Sequence, residues 1–279
     1  MRKELILSIL FMMPMSVFAW HTDPCPDAEP ACFSLPPEHK PLQPSADELN
    51  SGRMVFGFGG DGCLASSPVY LKDEEVVSNP GIPTRGSIDG HCAYGDQLDR
   101  AFITFQEVQA KSPSNYKARI FGIYTVKDQI ALGPQAHRHD WEHAIVWLKD
   151  DKPEYIGLSQ HKNLKIWKAS DFPYLKDSKA FAAKYVVQGS HSLGKADGVE
   201  SGGQFIPKNT NPTPSKKWFG EDLTQYVKFD GVGDVSEKFK KAIKAEKVYG
   251  EAVPRFDDLV YLQEKMPEAW KEAKVKFTD

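Results

Sequence analysis

The feature that most restricts this chain is the heptad at residues 137–143, in which six ionisable side chains accompany a single tryptophan. The heptad reads His-Arg-His-Asp-Trp-Glu-His and runs directly into the apolar segment Ala-Ile-Val-Trp-Leu. Burying so much charge is costly unless solvent, a metal or mutual pairing offsets the loss of hydration. The run lacks glycine and proline and ends in β-branched and aromatic residues. It therefore predicts a strand or the entry to one.

A strand alternates its side chains, and this alternation predicts two chemically different faces for the heptad. The three histidines and Trp141 fall on one face, whereas Asp140, Glu142 and Arg138 fall on the other. Two carboxylates on one face, with histidines at the mouth of the strand, suit a divalent cation. A salt-bridge cluster around Arg138 is the structural alternative.

Residues 1–19 have the pattern of a signal peptide. Arg2 and Lys3 precede an apolar run, and Val17-Phe18-Ala19 fits the small-residue rule for cleavage. The run is too short for a stable transmembrane anchor, so we expect a secreted protein. With a net charge of −3, the chain lacks the excess of positive charge that is typical of nucleic-acid-binding proteins.

The chain contains four cysteines, and an even number after an export signal favours two disulfides. The local pairings Cys25–Cys32 and Cys63–Cys92 are preferred. No Cys-x-x-Cys pair is present, so a zinc site built on these thiols is disfavoured.

The distribution of residue types predicts a signal peptide, an arm and one domain. The proline-rich segment 20–45 is expected to form an arm without regular secondary structure. Residues 46–279 are expected to form a single mainly β domain, because short strand-like runs alternate with polar turns. We predict strands over 101–108, 116–126, 143–148, 154–158, 164–167 and 184–188. Helices are predicted only late, from Asp234 as an N-cap with Glu237 as its box residue, and after Pro267.

Asp128 is the third acidic residue that the sequence connects with the heptad. It ends the segment preceding the heptad, and a loop through Gly133-Pro134 leads back to His137. A hairpin through that loop would bring Asp128 beside His137. Several carboxylates with at most one imidazole form a hard-oxygen site, which favours Mg²⁺, Ca²⁺ or Mn²⁺ over zinc.

A metal-dependent hydrolase is the alternative use of such a cavity. The run from His137 to Asp140 partly resembles the pattern of metallo-β-lactamase-like enzymes, but its spacing differs by one residue. Neither a His-Glu-x-x-His helix motif nor a Gly-x-Ser-x-Gly nucleophile elbow occurs. The residues alone therefore indicate a cation site without an identifiable nucleophile.

The heptad followed by an apolar strand resembles the signature of the necrosis- and ethylene-inducing-like proteins, which are secreted cytolysins and elicitors of plant-associated microbes. The family motif begins with glycine where this chain has Ala136, and its other six positions match. Cys63 and Cys92 lie where the family carries its disulfide, and residues 249–254 resemble the stretch before its final helix. The resemblance implies a β-sandwich flanked by a few helices, similar to actinoporins and fungal lectins.

The resemblance also implies roles for individual residues. The family's acidic cation cavity corresponds here to Asp128, His137, Asp140 and Glu142, with the two aspartates as direct ligands of Mg²⁺ or Ca²⁺. His137 and Glu142 would reach the ion directly or through water. Roles in the cavity or in headgroup binding are implied for His139, His161 and His191.

The function implied by the resemblance is that of a toxin or elicitor, not an enzyme. Such a protein would bind a glycosphingolipid of the host plasma membrane, the plant lipid glycosyl inositol phosphoryl ceramide, and damage the membrane. We expect a monomer without a nucleic-acid partner. A secreted metal-dependent hydrolase and a non-lytic sugar-binding module of the same fold are the alternatives.

Overall fold

Two long antiparallel strands, β5 (Tyr116–Asp128) and β6 (His137–Lys149), form the centre of a ten-stranded sheet. The computed structural model describes residues 24–58, 62–129, 136–161, 163–186, 192–201, 204–207, 217–245, 248–250, 252 and 254–279. The predicted signal peptide, the loop through Gly133-Pro134, the end of the strand predicted over 184–188 and His191 lie outside these residues.

Strands dominate the described part of the chain, as the sequence predicted. The strands other than β5 and β6 are β1 (Arg53–Phe58), β2 (Val69–Lys72), β3 (Glu75–Ser78), β4 (Ile103–Gln109), β7 (Lys152–Gln160), β8 (Asn163–Lys168), β9 (Tyr174–Leu175), β10 (Ala180–Val186), β11 (Ser192–Lys195), β12 (Gly198–Ser201), β13 (Gln204–Pro207) and β14 (Tyr226–Lys228). The helices are α1 (Ala46–Leu49), α2 (Gln97–Arg100), α3 (Asp234–Ile243), α4 (Leu259–Lys265) and α5 (Glu268–Glu272). One-turn 3-10 segments occur at Pro30–Cys32, Pro37–His39, Ala169–Asp171 and Leu223–Gln225.

The main sheet has the strand order β1-β10-β11-β7-β6-β5-β4-β14, with β8 beside β7 and β9 beside β10. It curls so that distant strands face one another across a shared core. Phe56 of β1, Phe181 of β10, Phe105 of β4 and Phe121 of β5 belong to this core. The predicted mainly β, sandwich-like architecture is therefore confirmed.

The opposite face of β5 and β6 is covered by the helices and by the N-terminal arm. Trp147 of β6 meets Trp270 of α5 with ring centroids 5.3 Å apart, and Trp141 meets Phe256 at the same separation. Phe239 of α3 lies in the same core. Trp141 and Trp147 are both buried, so the two aromatic residues near the heptad serve packing.

Residues 24–45 pack against the domain instead of extending into solvent. Cys32 and Leu35 are buried in the helix-covered core. The Asn79 side-chain amide donates to the carbonyl of Pro30 at 2.7 Å. Both predicted disulfides, Cys25–Cys32 and Cys63–Cys92, are present.

Side-chain and backbone caps define the ends of two of the helices. At α1, Ser45 accepts from the backbone of Glu48, and the Glu48 side chain accepts from the backbone of Ser45. The capping box predicted for α3 is wrong, because Gly233 is the N-cap and its φ of 102° suits a residue without Cβ. Asp234 is instead the first helical residue, where its negative charge interacts favourably with the positive end of the helix dipole.

Within the described residues, no helix combines the length and apolarity needed to cross a bilayer.

Gly122 permits the closest contact between the sheet and the C-terminal region. A Cβ at this position would lie 2.2 Å from the Phe256 ring, whereas a Cβ at Gly194 would meet nothing nearer than 3.7 Å. We expect Gly122→Ala to lower the free energy of unfolding by about 1–3 kcal/mol through overpacking. Gly194→Ala is the matched control and should change it little. Urea denaturation measures both, and equal effects of the two substitutions would contradict this packing assignment.

Candidate cation site

The paired ends of β5 and β6 gather the acidic group of the site. Asp128 lies directly opposite His137 in the antiparallel register, as the predicted hairpin requires. Asp128, His137 and Asp140 each offer a ligand atom, and these atoms all lie within 4.8 Å of one another. The Asp128 side chain is fully buried, while that of His137 is 46% exposed. The buried side of the group is therefore acidic, and its other side faces solvent.

The backbone at His139 explains how His137 and Asp140 reach the same place. Strict alternation places these residues, three apart, on opposite faces, and that prediction is wrong for His137. His139 has a φ of 66°, in the left-handed region that non-glycine residues seldom adopt. Its partner across the ladder would be Val126, but Val126 accepts a hydrogen bond from the amide of Ile82 instead. The interruption turns His137 toward Asp140.

The imidazole of His137 is oriented by its own strand. Its Nδ1 lies 2.7 Å from the carbonyl oxygen of His139. A carbonyl only accepts, so Nδ1 carries the hydrogen and the neutral ring has its lone pair on Nε2. Nε2 lies 3.7 Å from Oδ2 of Asp128. This tautomer leaves a nitrogen suited to a metal on the side of the carboxylate.

Asp140 is anchored from across the curled sheet. The hydroxyl of Tyr185, on β10, donates to Oδ2 of Asp140 at 2.9 Å, and both side chains are buried. Burial raises the pKa of the Asp140 carboxyl, although nearby His137 and the Tyr185 hydrogen bond oppose this shift. The ionised form of Asp140 is therefore disfavoured unless additional positive charge lies nearby.

Glu142 lies two residues further along β6 and is not one of the three clustered residues. Its carboxylate accepts a hydrogen bond from the hydroxyl of Ser159, which itself accepts from the backbone amide of His143 at 2.8 Å. Burial, and then the charge of Asp140, raise the pKa of Glu142 well above its usual range. Burial and the neighbouring Asp140 therefore favour the protonated form of Glu142, while Ser159 restrains its side chain.

His139 and His143 point into the aromatic core instead of into the acidic group. Nδ1 of His139 lies 2.7 Å from the Tyr124 hydroxyl, and Nε2 of His143 lies 2.9 Å from the Tyr261 hydroxyl. Burial, and then the charge of Arg138, lower the pKa of His139 to about 4. Burial, and then Arg255, lower that of His143 to about 3. Both rings are neutral at physiological pH and support the strand that carries Asp140.

The remaining predicted residues occupy different positions. His161 is exposed in the turn after β7, and its charge lowers the pKa of Asp140 slightly against the larger effect of burial. Arg138 donates to the carbonyl of Pro80 at 3.1 Å. Among the described residues it forms no ion pair with Asp140 or Glu142, so the alternative of a salt-bridge cluster around Arg138 is not found there.

Three positions that the sequence analysis missed shape the surroundings of the site. Gly81, with a φ of 60°, lies so close to the His139 ring that a Cβ would approach within 2.7 Å. Tyr185 and Ser159 hold Asp140 and Glu142, yet they come from strands 45 and 17 residues away. No local pattern identifies such partners, since only the register of the folded sheet brings them near.

The donor set matches a hard divalent cation. Two buried carboxylates and one imidazole nitrogen converge. A doubly charged ion would offset both the repulsion between the two carboxylates and their loss of hydration on burial. Carboxylate oxygens suit Mg²⁺, Ca²⁺ and Mn²⁺, whereas the thiols that favour zinc are used in disulfides.

Comparison with known proteins identifies what this chain is similar to. A family model described as Necrosis inducing protein (NPP1) matches residues 55–267. NLP effector protein Pc576423 of Phytophthora capsici is 28% identical over 135 residues, which cover 45% of this chain and 53% of that protein. The chain thus spans about half the length of this curated relative.

Solved structures share the fold at low sequence identity. Necrosis and Ethylene inducing Protein 2, from the causal agent of cocoa's witches' broom disease, aligns with a TM-score of 0.56 and 19% identity over 80% of this chain and 92% of its own. NLPPya in complex with mannosamine aligns with a TM-score of 0.54 and 18% identity over 84% and 96%. At these identities the likeness establishes the fold.

The raised pKa of Glu142 has a consequence for stability without added metal. Above the pKa of an unfolded glutamate, the folded protein still holds a proton on Glu142 that the unfolded chain has released. The protonated Glu142 carboxyl therefore contributes stability at low pH, and this contribution is lost as pH rises through the folded pKa. Glu142→Gln has no proton to lose. The stability of the variant relative to wild type should therefore increase between pH 4.5 and 8, by about 1.4 kcal/mol for each unit of pKa elevation.

Denaturation in the presence of EDTA at several pH values measures this difference. Glu264→Gln, at an exposed glutamate, is the control. A Glu142→Gln profile parallel to that of wild type across the whole range would contradict the burial argument.

Proposed function

The chain belongs to the necrosis-inducing protein (NPP1) family, and from this we propose that it is a secreted toxin or elicitor that recognises a host glycosphingolipid through a divalent cation. In this proposal the protein is not an enzyme. The lipid is the plant sphingolipid glycosyl inositol phosphoryl ceramide, and its recognition leads to damage of the plasma membrane. Relatives of this chain include an effector of Phytophthora capsici, which supports a role outside the producing cell.

The single observation that carries the proposal is the convergence of Asp128, His137 and Asp140 at the open end of the β5–β6 pair. The two aspartates would hold the cation, and Nε2 of His137 would approach it from the solvent side. When bound, a divalent cation supplies a coordination site for the hydroxyl oxygens of a sugar. A solved relative of the same fold is in complex with mannosamine, which supports a carbohydrate as the ligand.

The chain's own residues perform the remaining tasks of recognition. Tyr185 fixes one oxygen of Asp140, and Ser159 fixes Glu142, so the acidic side chains lose little freedom on binding. His139 lies beneath them in an apolar, aromatic layer. These supports keep the site preorganised, as expected for a binding surface that must act before the membrane is disturbed.

Secretion is supported by the two disulfides as well as by the predicted signal peptide. Cys25–Cys32 and Cys63–Cys92 are formed, and no described cysteine is free. Disulfides persist in oxidising, extracellular environments. A protein released from the microbial cell would therefore retain the two disulfides, which hold its N-terminal arm and the loop between Cys63 and Cys92.

The proposal is tested with unilamellar vesicles that contain or lack glycosyl inositol phosphoryl ceramide. With about 1 mM Ca²⁺ or Mg²⁺ added, at the upper end of the roughly 10⁻⁴–10⁻³ M dissociation constants of extracellular calcium sites, we expect dye release only from vesicles that contain the lipid. Asp140→Asn should reduce the rate of release at least tenfold, since it removes a charge from the cation group. Asp177→Asn, at an exposed aspartate, is the matched control and should behave as wild type.

The outcomes separate the candidate functions. Binding to the vesicles without release would indicate a non-lytic sugar-binding module. Appearance of free headgroup in the medium would indicate a hydrolase. Release that is indifferent to the sphingolipid, or equal in wild type and Asp140→Asn, would overturn the proposal.

A further inference from the structure

The residues on either side of Asp128 are held by side-chain hydrogen bonds to one loop. Lys127 is buried, and its amino group donates to the carbonyl of Ser87 at 2.8 Å and to the side-chain oxygen of Gln129 at 3.0 Å. The side-chain amide of Gln129 is buried as well and donates to the carbonyl of Gly86 at 2.8 Å. Adjacent carbonyls of one loop therefore hold both neighbours of a candidate cation ligand.

This loop, residues 80–90, which we call the clamp loop, also contacts the backbone and side chains of the central strand pair. The amide of Ile82 donates to the carbonyl of Val126, on β5, at 3.0 Å. The carbonyl of Pro80 accepts from the guanidinium of Arg138, on β6, at 3.1 Å. The clamp loop thus contacts both strands at the end that carries the candidate cation site.

The clamp loop is itself attached at both ends to other parts of the chain. Asn79, just before it, donates its backbone amide to the carbonyl of Pro68 and its side-chain amide to the carbonyl of Pro30, each at 2.7 Å. Just after it, Cys92 is bonded to Cys63. A loop attached in this way provides a fixed reference for the end of β5, which a loop free to move would not.

Neither packing nor net charge explains a lysine at position 127. Burying an ammonium group is costly, and an apolar side chain of similar length would fill the same space without that cost. A positive charge one residue from Asp128 also disfavours the binding of a cation there. Directional hydrogen bonds are what Lys127 adds, because they fix the separation between the strand and the clamp loop.

We propose that Lys127 is a positioning residue of the cation site, which holds the end of β5 against the clamp loop so that the Asp128 carboxylate stays close to Asp140 and His137. The inference rests on the proposed function, because the role requires that a cation binds there. Loss of a group that supports a metal ligand through hydrogen bonds typically weakens metal binding by roughly 10–100-fold. Lys127 acts through the backbone of Asp128, so we expect an effect of about tenfold, at the lower end of this range.

The test measures Mn²⁺ binding by the full secreted chain at neutral pH, from the electron paramagnetic resonance signal of free Mn²⁺. Lys127→Met keeps an unbranched side chain and removes the ammonium group, and its affinity for Mn²⁺ should fall about tenfold. The direction of the change is diagnostic, since loss of a positive charge alone would strengthen cation binding. An affinity equal to or higher than that of wild type would overturn the inference.

A neutral variant of the same hydrogen-bond group provides an independent test. Gln129→Met removes the donor to Gly86 and the acceptor for Lys127 without a change in charge, and it should also weaken Mn²⁺ binding. The double variant should bind little more weakly than the weaker single variant, because both substitutions break one coupled group. Fully additive effects would contradict a shared role. If Lys127→Met does not fold by circular dichroism, the affinity of Gln129→Met decides the outcome.

The matched control removes a lysine from the other end of the same strand. Lys117 pairs with Glu107 and Asp151, and Lys117→Met should bind Mn²⁺ as wild type does. An equal loss of affinity in Lys117→Met would show a general effect on β5 and overturn the assignment to Lys127. Partial unfolding is recognised separately, because it lowers the number of Mn²⁺ sites and leaves the affinity of the remaining sites unchanged.

Failure of this inference and failure of the proposed function give different results. Wild type that binds Mn²⁺, with Asp140→Asn that does not, retains the cation site, and unchanged affinity in Lys127→Met and Gln129→Met then overturns the positioning role alone. Absence of Mn²⁺ binding by wild type, or unchanged binding by Asp140→Asn, would refute the cation site and this role with it. In the vesicle assay, Lys127→Met should need about ten times more Ca²⁺ for half-maximal release and reach the same maximal rate.

Discussion

The structure depends on keeping two buried carboxylates, Asp128 and Asp140, close together at one end of the central strand pair. Carboxylates buried near one another repel, and each has lost its hydration. Burial raises the pKa of Asp140 and so disfavours its ionised form. The Tyr185 hydroxyl, which donates to Asp140, offsets part of this cost. A doubly charged cation would offset the remainder, as the proposed function requires.

The fold supplies rigid support for this unfavourable arrangement. One side of β6 packs into the aromatic layer of Trp141, Phe256 and Tyr249, and the other side carries the acids toward β10. The curl of the sheet is essential here, because β10 is separated from β6 by two strands in the sheet order and still delivers Tyr185 to Asp140. A stable sheet thus presents the acidic group at one end of its central strand pair.

The sequence predicted the parts of the site that depend on local pattern. The heptad predicted a strand, and the loop before it predicted the hairpin that sets Asp128 opposite His137. Alternation failed at His137 because the left-handed backbone of His139 interrupts it, and a histidine at this φ has no distinctive sequence signature. Tyr185 and Ser159 could not be predicted, since their positions follow from the registers of distant strands. Helix α4 also escaped prediction, because its seven residues are too few for a clear helical periodicity.

Cation binding at Asp128 and Asp140 is tested most directly by locating a bound ion. Crystals grown with MnCl₂ and measured near the manganese absorption edge would show the ion as a peak of anomalous scattering. We expect one strong peak between the carboxylates of Asp128 and Asp140, at about 2.0–2.6 Å from an oxygen of each, as expected for hard divalent cations. An ordered manganese bound elsewhere on the protein, with no peak at these two aspartates, would contradict it.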